Sequence, residues 1–252
     1  MLSVVIPTLQ KNVTVFFKLL DNLSNDKSVS EIIVIDNSLK GLDYNSPKLR
    51  VIIPKENLYV NPSWNLGVKE AKSEIIGLLN DDISIPENFC SDIIAKMDKT
   101  MGLIGMNSGE YIETKDIIGE PPQKTELFLE KTKYMDQAFG VALFCYKETY
   151  PQIPDEIKIV YGDVWLYYQY KKQKKDNYRI CGQKIYHLGS ISSGSIEFNP
   201  ICKKDAYLYK KLMVKWYNRL FSYEETWKGY KLRLCGLTFF IPKKNAKGYI
   251  NE

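Results

Sequence analysis

The chain has 252 residues, of which 44% are apolar and 13% aromatic. That is enough to bury one large α/β domain or two small ones, and it excludes a disordered polymer. The net charge of +5 is uneven, because residues 203–252 hold 12 Lys and Arg against 4 Asp and Glu, leaving the rest slightly acidic. No run approaches the roughly 20 apolar residues of a membrane-spanning helix. Met1-Leu2-Ser3-Val4-Val5-Ile6-Pro7 lacks the basic n-region and small-residue cleavage site of a secretory leader, so it reads as a buried strand. The five cysteines, Cys90, Cys145, Cys181, Cys202 and Cys235, are odd in number and too dispersed for a zinc knuckle or redox pair. They read as free thiols in a reducing, cytoplasmic compartment.

The first half alternates strand and helix. Ser3–Ile6 is an apolar run ending at Pro7-Thr8. Val13, Phe16, Phe17 and Leu20 recur at helical spacing, with Asn12 as N-cap. Glu31–Ile35 predicts a second strand closed by Asp36-Asn37-Ser38, and Leu49–Ile53 a third stopped by Pro54. Asn61-Pro62 reads as N-cap and first residue of a helix running to about Lys72. Glu74–Leu79 predicts a fourth strand that ends on Asn80-Asp81-Asp82. Ser84-Ile85-Pro86-Glu87 has the form of a capping box, opening a helix with Phe89, Ile93, Ile94 and Met97 inward.

The second half is less regular. Residues 109–133 are polar and predict a long loop. Phe139–Tyr146 and Arg179–Tyr186 predict strands, Gly162–Lys172 a helix, and His187-Leu188-Gly189-Ser190 opens a Ser/Gly-rich loop. Lys203–Phe221 predicts an amphipathic helix with Ala206, Tyr209, Met213, Trp216 and Leu220 in one stripe. Continuous apolar strands alternating with amphipathic helices imply a mainly parallel sheet covered on both faces. Ligands of such sheets bind outside the carboxyl ends of the strands, where Asp36 and Asp82 both fall.

Three features carry chemistry. Asn80-Asp81-Asp82 offers consecutive side-chain oxygens to a hard cation, although Asn-Asp pairs at strand ends are also ordinary turn formers. His187 is the only histidine and ends a strand. Asp163 stands where a helix begins, as a cap, a dipole partner or a general base facing a cleft.

Ser3-Val4-Val5-Ile6-Pro7-Thr8, Glu31 through Ser38, Asn57 through Gly67 and Leu78-Leu79-Asn80-Asp81-Asp82, in that order, resemble family 2 glycosyltransferases of the GT-A fold over roughly residues 1–200. The resemblance implies a Rossmann-like, mainly parallel sheet flanked by helices, with a nucleotide-binding half over about 1–106 and an acceptor half over about 107–200. Residues 201–252 are then a basic, helical C-terminal extension packed on the same domain.

The resemblance also implies roles. Pro7, Thr8, Asp36, Asn65, Asn80 and Asp81 would contact a nucleoside diphosphate sugar. Asp82 and His187 would hold Mn2+ or Mg2+, Asp163 would be the catalytic base of an inverting transfer, and Tyr59 and Trp64 are candidates for stacking. The acceptor would be a hydroxyl of a glycan or of a lipid-linked acceptor. The sequence departs from the family at Asn80, where its metal motif starts with aspartate, and at Gly162, where an acidic pair is usual. Those departures raise the alternative of a catalytically impaired nucleotide-sugar-binding protein. No Gly-rich, basic phosphate loop supports a sugar-nucleotide pyrophosphorylase.

The basic C-terminal region suits a solvated face, a phosphate-bearing acceptor or peripheral contact with an anionic membrane. Tyr207, Trp216, Tyr217 and Phe221 lie among Lys210, Lys211, Lys215 and Arg219, compatible with an interfacial helix or with one packed on the domain. No nucleic-acid recognition motif is present.

Overall fold

The computed structural model describes residues 1–116, 121, 125–136, 139–189, 196–213, 221–225, 229–235 and 237–242. The chain divides into two compact units, Met1–Asp205 and Ala206–Glu252. The elements are β1 (Leu2–Thr8), α1 (Val13–Asn25), β2 (Val29–Asp36), β3 (Leu49–Ile52), α2 (Val60–Glu70), β4 (Ile75–Leu79), β5 (Ile83–Ser84), α3 (Phe89–Ile94), β6 (Met101–Met106), β7 (Tyr111–Glu113), β8 (Phe128–Thr132), β9 (Ala142–Tyr146), α4 (Gly162–Lys172), β10 (Asp176–Cys181), β11 (Ile185–His187), α5 (Asn199–Met213), β12 (Phe221–Glu225), β13 (Gly229–Leu234) and β14 (Leu237–Pro242). The division between units falls inside α5.

The first unit is built on one sheet of order β3-β2-β1-β4-β9-β6-β10-β8. β1 runs parallel to β2 and β4, β2 to β3, and β6 to β10. Only β9 and β8 run against the others. Every residue of β4 and β9 is buried, as strands covered on both faces must be. The expected mainly parallel α/β sheet is therefore present, and one sheet serves both expected halves.

Local signals and tertiary demands agree in some places and conflict in others. Asn12 caps α1 as expected, accepting from the Val15 amide at 3.1 Å. Asn61 does not cap α2. Its amide donates to the Lys158 carbonyl at 2.9 Å and its side chain to Ile157 O at 3.1 Å, so α2 opens earlier, after Tyr59 at φ +66°. The Ser84 capping box does not form, because Ser84 is taken into β5 opposite Tyr186, and α3 starts only at Phe89. The polar stretch 109–133 contributes β7 and β8, which exist by pairing with β11 and β10 far along the chain. The strand expected over Arg179–Tyr186 breaks at Gly182, whose φ of +89° leaves no place for a side chain.

Among the described residues of the helix expected over Lys203–Phe221, those up to Met213 lie in α5, whereas Phe221 begins β12. β12, β13 and β14 are strands, in which Phe221 and Tyr223, Leu232 and Leu234, and Leu237 and Phe239 each stand two residues apart. Lys215, Trp216, Tyr217, Arg219 and Leu220 lie outside the described residues, as do Ser190 and the loop that follows it.

One segment sets the geometry ahead of Asp163. The carboxylate of Asp205, fully buried on α5, accepts from the amides of Lys158, Ile159 and Val160 at 2.9, 2.7 and 3.1 Å. Asn61 holds the same segment from α2. Tyr161 then adopts φ +68°, and α4 begins at Gly162, where a Cβ would stand 2.0 Å from Asn61 Oδ1. Glycine at 162 is thus a steric requirement of the Asn61 contact.

Removing the Asp205 carboxylate leaves three partly buried amides without that acceptor, each costing up to about 1–3 kcal/mol. Asp205→Ala is expected to lower unfolding free energy by about 3 kcal/mol or more, and Asp205→Asn by less, in chemical denaturation. A Cβ at Gly67 would lie 2.1 Å from Val5 Cγ1, since α2 presses directly on β1. Gly67→Ala should therefore cost about 1–3 kcal/mol in the same measurement.

Candidate active site

Because β1 and β4 are parallel neighbours, the loops leaving them emerge side by side. They border a cleft of about 370 Å³ lined by Pro7, Thr8, Asn37, Tyr59, Asn61, Trp64, Asn80, Asp81, Asp82, Gly140, Gly162, Asp163 and His187, among others. The Thr8 hydroxyl donates to Asp81 Oδ2 at 2.6 Å and accepts from the Gln10 amide at 2.8 Å. Burial pushes the Asp81 carboxyl up to about 6; the Thr8 bond opposes this and the Asp82 charge adds to it.

Asp82 and His187 meet through a second, small sheet of order β5-β11-β7. His187 stands opposite Ile83, and the Leu188 amide donates to the Asp82 carbonyl at 3.0 Å. His187 Nε2 lies 3.1 Å from Asp82 Oδ1, an ion-pair distance, yet that oxygen is buried and in no well-formed hydrogen bond. The other ring nitrogen, Nδ1, is 2.9 Å from the Tyr111 hydroxyl. Burial, then the charges of Glu113 and Asp82, pushes the Tyr111 phenol up to about 12, so it stays protonated. Asn80 Nδ2 is 3.5 Å from His187 Nε2.

Asp163 occupies the first turn of α4, its Oδ1 accepting from the Val164 amide at 2.8 Å. A Cβ at Gly140 would come within 2.5 Å of Asp163 Oδ2, so glycine there leaves the carboxylate its place in the cleft wall. Burial raises the Asp163 pKa from its ordinary value, opposed by the amides of Val164 and of Asp163 itself.

Two expected donor contacts are placed elsewhere. Asp36 is fully buried and off the cleft wall; its carboxylate accepts from Ser38 N at 3.0 Å, Ser38 Oγ at 2.6 Å and Gly41 N at 2.8 Å, ordering its own turn. Its neighbour Asn37 faces the cleft. Asn65 is not among the cleft-lining residues and turns to the 150–153 segment, accepting from Tyr150 Oη and the Ile153 amide at 3.0 and 3.1 Å and donating to Ile153 O at 2.7 Å. Tyr59 and Trp64 both line the cleft. Tyr59 meets Phe198 edge-on, and the indole Nε1 of buried Trp64 has no partner among the described residues.

Tyr111 and Asp205 are the residues that sequence reasoning missed. Tyr111 lay in a stretch expected to be a loop, and Asp205 on a helix where an acidic residue among lysines looks solvated. Neither position carries a local signal of its role.

Among the described residues no group of three or more His, Cys, Asp or Glu side chains could hold a metal unaided. Asp82 and His187 still fit a divalent cation, because the unsatisfied Asp82 Oδ1 faces an imidazole nitrogen. Magnesium-type sites commonly rely on one or two carboxylates, with substrate phosphates and water completing the shell.

The family model for glycosyl transferase family 2 matches residues 3–148. Among solved structures, the chain is similar to S. aureus TarS 1-349, at 14% identity and TM-score 0.51, covering 86% of this chain and 76% of that one. The same figures hold for TarS 1-349 in complex with UDP. The chain spans 41% of the longer TarS structure. Similar too is mannosyltransferase PcManGT from Pyrobaculum calidifontis in complex with GDP-Man and Mn2+, at 13% identity and TM-score 0.53, covering 82% and 69% of the two chains. No curated protein sequence matches. The structural likenesses show a shared fold, and the family model covers more than half of the residues; the chain belongs to glycosyl transferase family 2 and is a glycosyltransferase of the GT-A fold.

Proposed function

We propose that this glycosyltransferase moves a sugar from a nucleoside diphosphate sugar to a hydroxyl of a glycan or lipid-linked acceptor, with inversion and with Mn2+ or Mg2+ bound. The observation that carries the proposal is the convergence on one cleft of Asp82 from the turn after β4, His187 from β11 and Asp163 from α4. Similar structures hold UDP in one case and GDP-Man with Mn2+ in another, which supports a nucleotide-sugar donor here.

In this reading Pro7, Thr8, Asn80 and Asp81 border the donor. Asp82 and His187 would hold the cation, and the Tyr111 hydroxyl at Nδ1 would keep the imidazole aimed at it. A bound cation supplies charge neutralisation to the departing diphosphate. Asp163 accepts the proton of the acceptor hydroxyl as that oxygen attacks C1 from the side opposite the diphosphate; one in-line displacement inverts the anomeric carbon. Its raised pKa makes it a stronger base than an ordinary aspartate. Tyr59 and Trp64 offer ring surface beside the donor.

The departure at Gly162 does not favour a catalytically impaired binding protein, since Asn61 requires a glycine there. No helix among the described residues is long and apolar enough to cross a membrane. A cytoplasmic enzyme, touching an anionic membrane peripherally through its basic C-terminal region, accords with a lipid-linked acceptor.

Asp163→Asn is expected to lower kcat by about 10²–10⁴ while leaving donor affinity within a few-fold, measured by transfer assay and nucleotide titration. Transfer at the normal rate would remove Asp163 from the role of base. With wild type, kcat should fall as pH drops through the Asp163 pKa, with the acid limb displaced upward from that of an ordinary aspartate; Asp163→Asn should lack that limb. Chelator should suppress transfer, and Mn2+ or Mg2+ restore it; full activity in chelator would exclude the cation.

A further inference from the structure

The second unit carries a surface that the cleft does not use. β12, β13 and β14 form an antiparallel sheet in which Phe221, Leu234 and Leu237 make one cross-strand row and Tyr223, Leu232 and Phe239 the next. Directly opposed residues of antiparallel strands project to the same side, as do residues two apart on one strand. All six side chains therefore share one face. The opposite face carries Ser222, Lys231, Arg233 and Thr238, with Phe240 among them. Arg233 Nε reaches Thr238 Oγ1 at 3.4 Å on that side.

A three-stranded sheet needs its apolar face covered to be stable. Here Phe221, Leu237 and Phe239 are 55%, 66% and 48% exposed. A contiguous apolar face rimmed by polar residues is an interaction surface. Charge selects the occupant. Residues 203–252 carry 12 Lys and Arg against 4 Asp and Glu, so a second copy would bring two strongly basic regions together. An anionic bilayer offers both a neutralising layer and an apolar phase beneath it.

We infer that this apolar face seats on an anionic lipid surface, its Phe, Tyr and Leu side chains entering the boundary between headgroups and acyl chains. The inference rests on the peripheral membrane contact proposed above and assigns that contact to the sheet, not to the helix before it.

The test is co-sedimentation of the full chain with vesicles of phosphatidylcholine containing phosphatidylglycerol, against phosphatidylcholine alone, at low and high ionic strength. Wild type should partition about tenfold better onto the anionic vesicles and lose that advantage in salt. Leu237→Asp and Phe239→Asp should each lower partitioning about tenfold, while Phe240→Asp, the same type of change on the opposite face, stays within about twofold. Far-UV circular dichroism checks that each variant is folded, and donor turnover without vesicles reports on the cleft separately. Absence of binding to anionic vesicles would overturn both the membrane contact and its assignment. Equal losses for Phe239→Asp and Phe240→Asp would overturn the sheet alone. A dimer seen by light scattering and dissolved by Phe239→Asp, without vesicle binding, would make a second copy the occupant and overturn the inference.

Discussion

The parallel alignment of β2, β1 and β4 is the constraint from which the site follows. These strands are mostly buried, and their polar residues, Ser3, Thr8, Ser30, Glu31 and Asp36, stand toward the ends. Thr8 is in register with Asp36, and Val5 with Leu78, which makes the chain leave all three strands at one edge. The bond from the Thr8 hydroxyl to Asp81 is the direct product of that alignment. It closes the two loops against each other and gives the cleft its floor. Gly67 belongs to the same constraint, because α2 can lie against β1 only where no side chain intervenes.

The other walls are assembled by contacts between distant parts of the chain. β11 sits between β5 and β7 and delivers His187 beside Asp82 with Tyr111 behind it. The segment before α4 is held from opposite sides by Asn61 and Asp205, and that grip sets where Asp163 begins its helix. A buried carboxylate is costly unless hydrogen-bonded, and Asp205 is satisfied by three backbone amides in place of a cation. Asp81 and Asp163, by contrast, are left desolvated enough to hold their protons more tightly than free aspartates. Perturbed carboxylates of this kind cluster at functional sites.

The C-terminal unit shows the same division between local and long-range information. Apolar and polar residues alternate along its three strands except at Phe240, and cross-strand register brings the apolar positions into one continuous face. Composition had shown the basic charge of this region. The alternation was there to be read as well, but it was hidden by a helical stripe that extended from α5 past Met213.

Much of the frame was legible in the residues. The apolar runs, the Asn12 cap, the strand ending on Asn80-Asp81-Asp82 and the isolated His187 led to a GT-A sheet and to residues that do line one cleft. These are local properties, set by hydrophobic period and side-chain chemistry within a few positions. What tertiary structure decided was which neighbour each polar group would meet. Asp36 turned inward to its own loop, Asn65 to Tyr150, Ser84 into a strand and Asn61 across to residue 157. Asn80 and His187 are 107 residues apart in sequence and about a hydrogen bond apart in space. The sequence by itself determined that strands of this kind would end in oxygen-bearing turns at one edge of a sheet. Only the folded chain could decide that Tyr111, Asp205 and Gly162 complete the site, because their roles are defined by partners that no local pattern names.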